Sequence, residues 1–400
     1  VTTEPGWRGR VALVLASSTG GIGQHVVSLA RGLAAAGMAV TVCGPAATEE
    51  LFGFAAAGAR FVPVEISASP RPGDARAVGA LRAALTGSTP GAAGPLGGGT
   101  VDVVHAHGLR AGFVAALART GRPLVVTWHN APLSAGLRGA VHRVLERVVA
   151  GAADVTLGAS ADLVERARAA GARDARLGEV AAPALPPPRR SRAAVRAEFG
   201  VVADAPVVLS VGRLHRQKRY DVLIEAAARW RGLKPAPVVL IAGSGPSYME
   251  LAARVSEARA PVSLLGHRTD VPDLLAGADL AVVTSDWEAR QLFAQEALRA
   301  GTPLVATAVG GLPGLVGEAA VLVPPGDVDA LDKAVRELLA DPDRRADYAE
   351  RGRRRAAAWP TEEQTVARVT AVYAEVVGAR TGGGGARRSR AGDETERGGR

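Results

Sequence analysis

Val207-Val-Leu-Ser-Val-Gly-Arg213-Leu-His-Arg-Gln-Lys218-Arg-Tyr-Asp-Val-Leu-Ile-Glu-Ala226 reads as a strand, a loop carrying cations, and a helix. The strand part is apolar without alternation, as expected of a strand covered on both faces. The same unit recurs along the chain. Further candidate strands are Val11–Ala16, Ala39–Cys43, Phe61–Ile66, Val101–His105, Leu124–Trp128 and Asp154–Gly158. After a break they resume at Val207–Val211, Val238–Ala242, Val262–Leu265, Leu280–Thr284, Pro303–Ala306 and Ala320–Val323. Segments of helical period lie between them, such as His25–Ala36 with Val26, Leu29, Ala30 and Leu33 on one face. This rhythm predicts an α/β protein with parallel sheets covered by helices.

The rhythm breaks at Ala181–Arg192, where Pro183 and Pro186-Pro187-Pro188 precede Arg189-Arg190, the composition of a semi-rigid linker. The expected layout is an N-terminal domain over 1–182, a linker over 183–192 and a second domain over 193–360. A helix over 361–377 follows Trp359-Pro360 and is a candidate to cross back to the first domain. A disordered Gly/Arg tail is expected over 378–400. Gly87–Thr100 reads as a surface loop. Four hundred residues suit two such domains.

With 48% hydrophobic residues but only five Trp, four Tyr and six Phe, the cores must be aliphatic. A single Cys43 excludes intramolecular disulfides and Cys-clustered metal sites. The net charge is +9, and the tail from Gly378 contributes six Arg against three acids. No Lys/Arg cluster is interleaved with aromatics, so nucleic acid is not an expected partner. Val11–Ala30 imitates a signal peptide after Arg8 and Arg10, but Gly20-Gly21-Ile22-Gly23 breaks it. Its apolar run is shorter than the ~7–15 residues of such a segment. Ala300–Gly317 is interrupted by Pro303 and Pro313. A cytoplasmic protein without a membrane span is expected.

Ser17-Ser-Thr-Gly20-Gly21-Ile-Gly23 follows the first strand and opens a helix, where backbone N–H groups favour an anion or polar substrate. A short-chain dehydrogenase would carry a Lys four residues after a Tyr. Here Tyr220, Tyr248, Tyr348 and Tyr373 are followed at that spacing by Ile224, Ala252, Gly352 and Val377. Cys43-Gly44 also stands where a ribose-binding acid would end the second strand. His105 and His107 share a strand face, as metal ligands can. No third ligand is evident, so polar packing is the simpler reading. Asp327-Val-Asp329 and Asp341-Pro-Asp343 each precede a helical segment and read as N-caps rather than metal ligands.

In the second half, Arg213 and Lys218 project from a strand-end loop, where parallel sheets bind ligands. Glu288 and Glu296 are expected at the start and middle of a helix that stops at Gly301. Eight residues of helix span roughly 12 Å, more than the ~5–10 Å between glycosidase carboxyls. The spacing suits two contacts on an elongated ligand, with phosphates at the helix N-terminus. The Gly310-Gly311 loop is expected to offer N–H groups to the same ligand.

In order and spacing, several motifs resemble retaining glycosyltransferases of family 4 over roughly residues 10–377. They are the Gly20-Gly21-x-Gly23 turn, Asp102-Val-Val-His-Ala-His107, Thr127-Trp-His129, Ala153-Asp-Val-Thr-Leu-Gly-Ala-Ser160, Ser210-Val-Gly-Arg213 with Lys218, and Ala242-Gly-Ser-Gly-Pro246. The most specific are Glu288-x7-Glu296 and Leu298-Arg-Ala-Gly-Thr-Pro-Leu-Val-Ala-Thr-Ala-Val-Gly-Gly-Leu-Pro313. The resemblance implies the GT-B fold, two Rossmann-like doubly wound domains facing a cleft. It implies a hexose moved from a UDP- or GDP-sugar to an acceptor hydroxyl, without an essential metal or other cofactor. Arg213 and Lys218 would bind the diphosphate, Glu296 the ribose, and Glu288 and His129 the donor sugar. Gly243, Gly310 and Gly311 would line the donor, and Gly20, Gly21 and Gly23 the cleft.

Three departures bear on donor-sugar choice. Gly314 stands where the family commonly has Glu, Ala289 where it has Gly, and no Asn-Gly-Val-Asp appears near the domain junction. A non-catalytic homologue that binds a nucleotide-sugar or a protein is the rival reading. The joint presence of Arg213, Lys218, Glu288, Glu296 and His129 argues against it. The acceptor, a sugar, lipid or small molecule, is not specified. Leu137–Val149 sets Leu137, Val141, Val144, Leu145 and Val148 against Arg138, Arg143 and Arg147. It reads as a packed helix or as a peripheral contact with an anionic membrane at its inner face.

Overall fold

The structure is a computed structural model describing residues 7–18, 20–71, 73–86, 100–131, 136–181, 184–202 and 204–392. The loop expected over Gly87–Thr100 lies almost wholly outside the described residues, as do Pro183 and residues 393–400. The chain divides into two units, Val1–Pro183 with Pro360–Arg400, and Ala184–Trp359.

The first unit runs β1 (Arg10–Leu15), α1 (Gly21–Ala35), β2 (Ala39–Gly44), α2 (Ala46–Phe52), β3 (Arg60–Pro63), α3 (Asp74–Thr86), β4 (Val103–His107), α4 (Leu109–Ala118), β5 (Leu124–Trp128), α5 (Gly136–Ala152), β6 (Val155–Gly158), α6 (Ala161–Ala169) and β7 (Ala175–Leu177). The second runs α7 (Arg192–Glu198), β8 (Val207–Val211), α8 (Tyr220–Trp230), β9 (Val238–Ala242), α9 (Tyr248–Ala258), β10 (Val262–Leu264), α10 (Val271–Gly277), β11 (Leu280–Val283), α11 (Leu292–Ala300), β12 (Leu304–Thr307), α12 (Leu312–Val316), β13 (Val321–Val323), α13 (Val328–Ala340) and α14 (Pro342–Ala357). α15 (Glu362–Gly392) closes the chain and belongs to the first unit.

Both sheets are wholly parallel. Their orders are β3-β2-β1-β4-β5-β6-β7 and β10-β9-β8-β11-β12-β13. Each therefore reverses direction once, between β1 and β4 and between β8 and β11, the switch points where doubly wound sheets open a crevice. Successive residues of a strand enter opposite cores. Leu209 packs with Phe293 and Leu298 of α11, while Val208 packs with Leu223 and Trp230 of α8. That is why the strands read as unbroken apolar runs.

β7 was not expected. It is a three-residue edge strand centred on Arg176, which pairs with Asp174 and Glu375, so it carries no apolar run. Asp327 and Asp341 cap α13 and α14, accepting from Ala330 and Arg344 N–H at 2.9 Å each. Before α7, the Arg189 and Arg190 N–H groups donate to Asp273 at 2.6 and 3.1 Å, fastening the proline run to the second unit.

α15 corrects the expected helix end at Val377 and the tail from Gly378, because it continues to Gly392. Its Val366, Val369, Tyr373 and Val376 join the first unit's core. Arg380, expected in the tail, pairs with Asp154 at 3.0 Å. No helix among the described residues is long and apolar enough to cross a membrane.

Candidate functional site

In the second unit, Lys218 and Glu288 meet at the β8/β11 switch point. Lys218 Nζ lies 2.5 Å from Glu288 Oε1, and the Ser285 hydroxyl donates to the same oxygen at 2.6 Å. The two loops are stitched by backbone. Asp286 N–H donates to the Gln217 carbonyl at 2.8 Å, and Gln217 Nε2 to the Trp287 carbonyl at 2.7 Å. Arg213 stands exposed on the same loop, without an ion-pair partner among the described residues.

Glu288 is not helical, contrary to expectation. α11 begins at Leu292, and the buried Gln291 side chain caps it by accepting from Ala294 N–H. The helical rise therefore does not measure the Glu288–Glu296 separation, and one first-turn N–H is already used. The helix does stop at Gly301, in the left-handed region at φ 70°. Glu296 is half-buried on α11, and burial pushes its carboxyl up to about 7 against a lesser opposing pull from Arg299.

The glycines divide in role. Gly311 N–H donates to the Glu288 carbonyl at 2.8 Å. A Cβ on Gly310, at φ +52°, would sit 2.2 Å from that carbonyl. This loop holds the Glu288 backbone, so the Gly311 N–H expected to face a ligand is committed elsewhere. A Cβ on Gly243 would lie 1.8 Å from the Gly212 carbonyl, so only glycine lets these strand-end loops touch.

In the first unit, the glycine turn opens α1 beside the β1/β4 switch point. A Cβ on Gly20 or Gly21 meets nothing within 4 Å, so that turn is open. One on Gly23 would strike the Phe52 ring at 2.1 Å. Gly23 therefore serves packing against α2.

His105 is satisfied internally, with Nδ1 2.6 Å from Tyr373 Oη and Nε2 2.7 Å from Thr127 Oγ1. His107 Nδ1 lies 3.3 Å from His129 Nε2. His25 of α1 joins them, with ring centroids 5.4 Å from His107 and 5.3 Å from His129. Burial lowers His25 to about 4, and burial, then the His25 imidazole, lowers His105 to about 3. Burial, then the neighbouring histidines, holds His107 and His129 well below the usual imidazole range. All four are neutral at pH near 7, so His129 can offer hydrogen bonds but not a cation. Ring nitrogens of His25, His107 and His129 lie within 4.8 Å of one another, a set that could hold a metal ion. Sequence reasoning missed His25, whose only signal is a His on the otherwise apolar buried face of α1. It also missed Ser285, Arg110 and His142. Cys43 is buried, its thiol pushed up to about 12 by burial, and inert.

On α5, Leu145 and Val149 are buried, but Leu137, Val141, Val144 and Val148 are 84%, 46%, 55% and 37% exposed. Packing thus accounts for one face of this helix and leaves an apolar stripe outside.

Residues 191–355 match the family model for glycosyl transferases group 1, and residues 20–182 that for a glycosyl transferase 4-like domain. The D-inositol 3-phosphate glycosyltransferase of Geodermatophilus obscurus is 32% identical over 387 residues, covering 90% of this chain and 85% of that protein. The alpha-maltose-1-phosphate synthase of Mycolicibacterium smegmatis is 32% identical over 290 residues, covering 63% and 73%. Among solved structures, the sucrose-phosphate synthase of Thermosynechococcus elongatus superimposes with a TM-score of 0.72 at 23% identity, over 93% of this chain and 100% of that one. HepE of Anabaena, solved with UDP and glucose, gives a TM-score of 0.72 at 20% identity, over 91% and 99%. The fold is GT-B, with two Rossmann-like parallel-sheet units.

Proposed function

The chain belongs to the family 4 glycosyltransferases, and from that premise we propose that it moves a hexose from a UDP- or GDP-sugar to an acceptor hydroxyl with retention at the anomeric carbon. The observation that carries this reading is the Lys218–Glu288 pair at the β8/β11 switch point. A diphosphate arriving there competes for Lys218 and releases Glu288 toward the sugar. Arg213, exposed and without an ion-pair partner among the described residues, adds the second cation. As the bond from C1 to the diphosphate breaks, Lys218 and Arg213 stabilise the leaving charge. The acceptor oxygen bonds to C1 on the face just vacated, and its proton leaves with the diphosphate. Glu296 accepts from the ribose hydroxyls, and neutral His129 hydrogen-bonds the sugar. Neutralisation by side chains leaves no role for a metal in this scheme.

The α5 stripe favours a second feature, peripheral contact with an anionic membrane. Exposed Leu137, Val141, Val144 and Val148 would enter the interface while Arg138, Arg143 and Arg147 meet lipid phosphates. The deciding experiment is turnover of a panel of nucleotide-sugars, followed by release of nucleoside diphosphate and by the anomeric coupling of the product. Absence of turnover with every UDP- and GDP-hexose would defeat the transfer reading.

A further inference from the structure

The four clustered histidines are not equally satisfied. His105 has both ring nitrogens engaged, one with Tyr373 and one with Thr127, and serves the interior. His107 is buried and differs. Its Nδ1 reaches only His129 Nε2, at 3.3 Å, and its Nε2 has no hydrogen-bond partner. A buried polar nitrogen left unbonded is costly. The fold nevertheless packs two further imidazoles, His25 and His129, against that ring.

Three elements supply this trio. His25 lies on the buried face of α1, His107 ends β4, and His129 follows β5. The two strands are locked in register, His107 opposite Thr127, and the Gly108 N–H donates to the Thr127 carbonyl at 2.7 Å. One ring nitrogen from each histidine lies within 4.8 Å of the other two. Metal–nitrogen bonds of ~2.0–2.1 Å in a tetrahedron place ligand nitrogens about 3.3–3.4 Å apart. The contact from His107 to His129, at 3.3 Å, already has that length, and turning the rings can close the rest. No thiol or carboxylate joins the set among the described residues. A purely imidazole donor set suits Zn²⁺, Ni²⁺ or Cu²⁺, whereas Mg²⁺ and Mn²⁺ take oxygen ligands. Three ligands leave a fourth position for water, and the partly exposed His129 gives the site its open side.

We propose that His25, His107 and His129 form a binding site for a transition-metal ion of the zinc class, and that the bound ion inhibits transfer through His129. The inhibitory step rests on the transfer reading, which assigns His129 to the donor sugar; the metal site itself does not. Ligation fixes the His129 ring and takes one of its nitrogens. It also sets a divalent cation beside the sugar carbon that gains positive character as its bond to the diphosphate breaks, which raises that barrier. The metal-free chain is the active form, so the site acts as a brake rather than as part of the transfer chemistry.

The test uses the full chain, stripped with chelator and titrated with Co²⁺, whose visible bands are intense in tetrahedral sites and weak in octahedral ones. One Co²⁺ per chain should give intense bands, Zn²⁺ should abolish them by displacement, and Mg²⁺ should not. His25→Gln should weaken Zn²⁺ binding by more than the roughly 10–100-fold that loss of a group supporting a ligand costs. It should keep the basal transfer rate and need correspondingly more Zn²⁺ for inhibition. If circular dichroism shows it unfolded, His107→Gln replaces it in the binding measurement. A readout independent of both variants is NMR of ring-labelled histidine in wild type, where one equivalent of Zn²⁺ should move three of the seven imidazoles. Weak bands only, unchanged affinity in a folded variant, or no such set of three moved rings overturns the site. Full turnover with the site filled overturns the inhibitory step. Absence of turnover in the metal-free chain would instead strike the transfer reading, because the Co²⁺ titration is read without it.

Discussion

Glu296 offers a test that separates ribose binding from every other contact to a nucleotide. Its carboxyl sits at about 7 in the unliganded protein because burial on α11 penalises the charge. Two ribose hydroxyls donating to the carboxylate favour the ionised form and should return it toward its ordinary 4.5. Binding then expels a proton, so affinity rises with pH. Taking the free and bound values at about 7 and about 4.5, affinity should fall about 25-fold from about pH 8 to about pH 5.5. The terminal phosphate of UDP or GDP titrates in the same window, so the readout is the ratio of wild type to Glu296→Gln. Calorimetry in two buffers of different ionisation enthalpy at about pH 6 should show just under one extra proton released by wild type. The sign for stability is the opposite. A carboxyl raised in the folded state stabilises the protein below its ordinary value, and this is lost as pH climbs through about 7. Glu296→Gln should therefore gain thermal stability relative to wild type at about pH 8, and little at about pH 4. If wild type and variant lose nucleotide affinity in parallel as pH falls, Glu296 does not hold the ribose, and the donor site needs another register on α11.

Lys218→Ala should weaken nucleoside-diphosphate binding by roughly 1.5–3 kcal/mol, more at low salt than at high; unchanged calorimetric affinity would remove it from the site. In steady-state kinetics Glu288→Gln and His129→Ala should chiefly lower kcat, whereas Glu296→Gln should chiefly raise the donor KM. Gly314→Glu should fold normally, because a Cβ there meets nothing within 4 Å, and should change donor preference across the nucleotide-sugar panel; an unaltered ranking would show that this position does not select the sugar. Leu137→Ser with Val144→Ser should abolish co-sedimentation with vesicles containing anionic lipid and leave activity on soluble substrates intact; equal sedimentation with neutral vesicles would end the membrane reading. Exhaustive chelation should leave transfer unchanged; loss of activity restored by one divalent ion would overturn the metal-free scheme and make the His25, His107 and His129 cluster the first place to look for it.

The strands were legible where the chain is buried on both faces. Leu124–Trp128, Val207–Val211 and Val238–Ala242 coincide with the structure because β-branched runs without alternation have few other uses. β7 was not legible, since an edge strand of three residues built around Arg176 is held by ion pairs rather than by an apolar face. The helix assigned to Glu288 failed for a different reason. Phe293, Ala297 and Leu298 set a true helical period, but periodicity does not mark a start. The start is Gln291, whose capping amide is an uncommon cap beside Ser, Thr, Asp and Asn.

The candidate sites were legible as residues and illegible as arrangements. Lys218 and Glu288 are seventy positions apart, and only the strand order β9-β8-β11-β12 makes their loops neighbours. That order is decided by which strand enters the sheet beside which, and no local pattern encodes it. The same reversal between β1 and β4 gathers His107, the glycine turn and Arg110. Arg110 shows the limit most clearly. In the sequence it is one Arg among many and reads as solvated charge. Burial and an anchor at Asp74 make it part of the fold's interior instead. The meeting of Lys218 with Glu288 is likewise set by the fold, and the +9 excess of the whole chain says nothing of it.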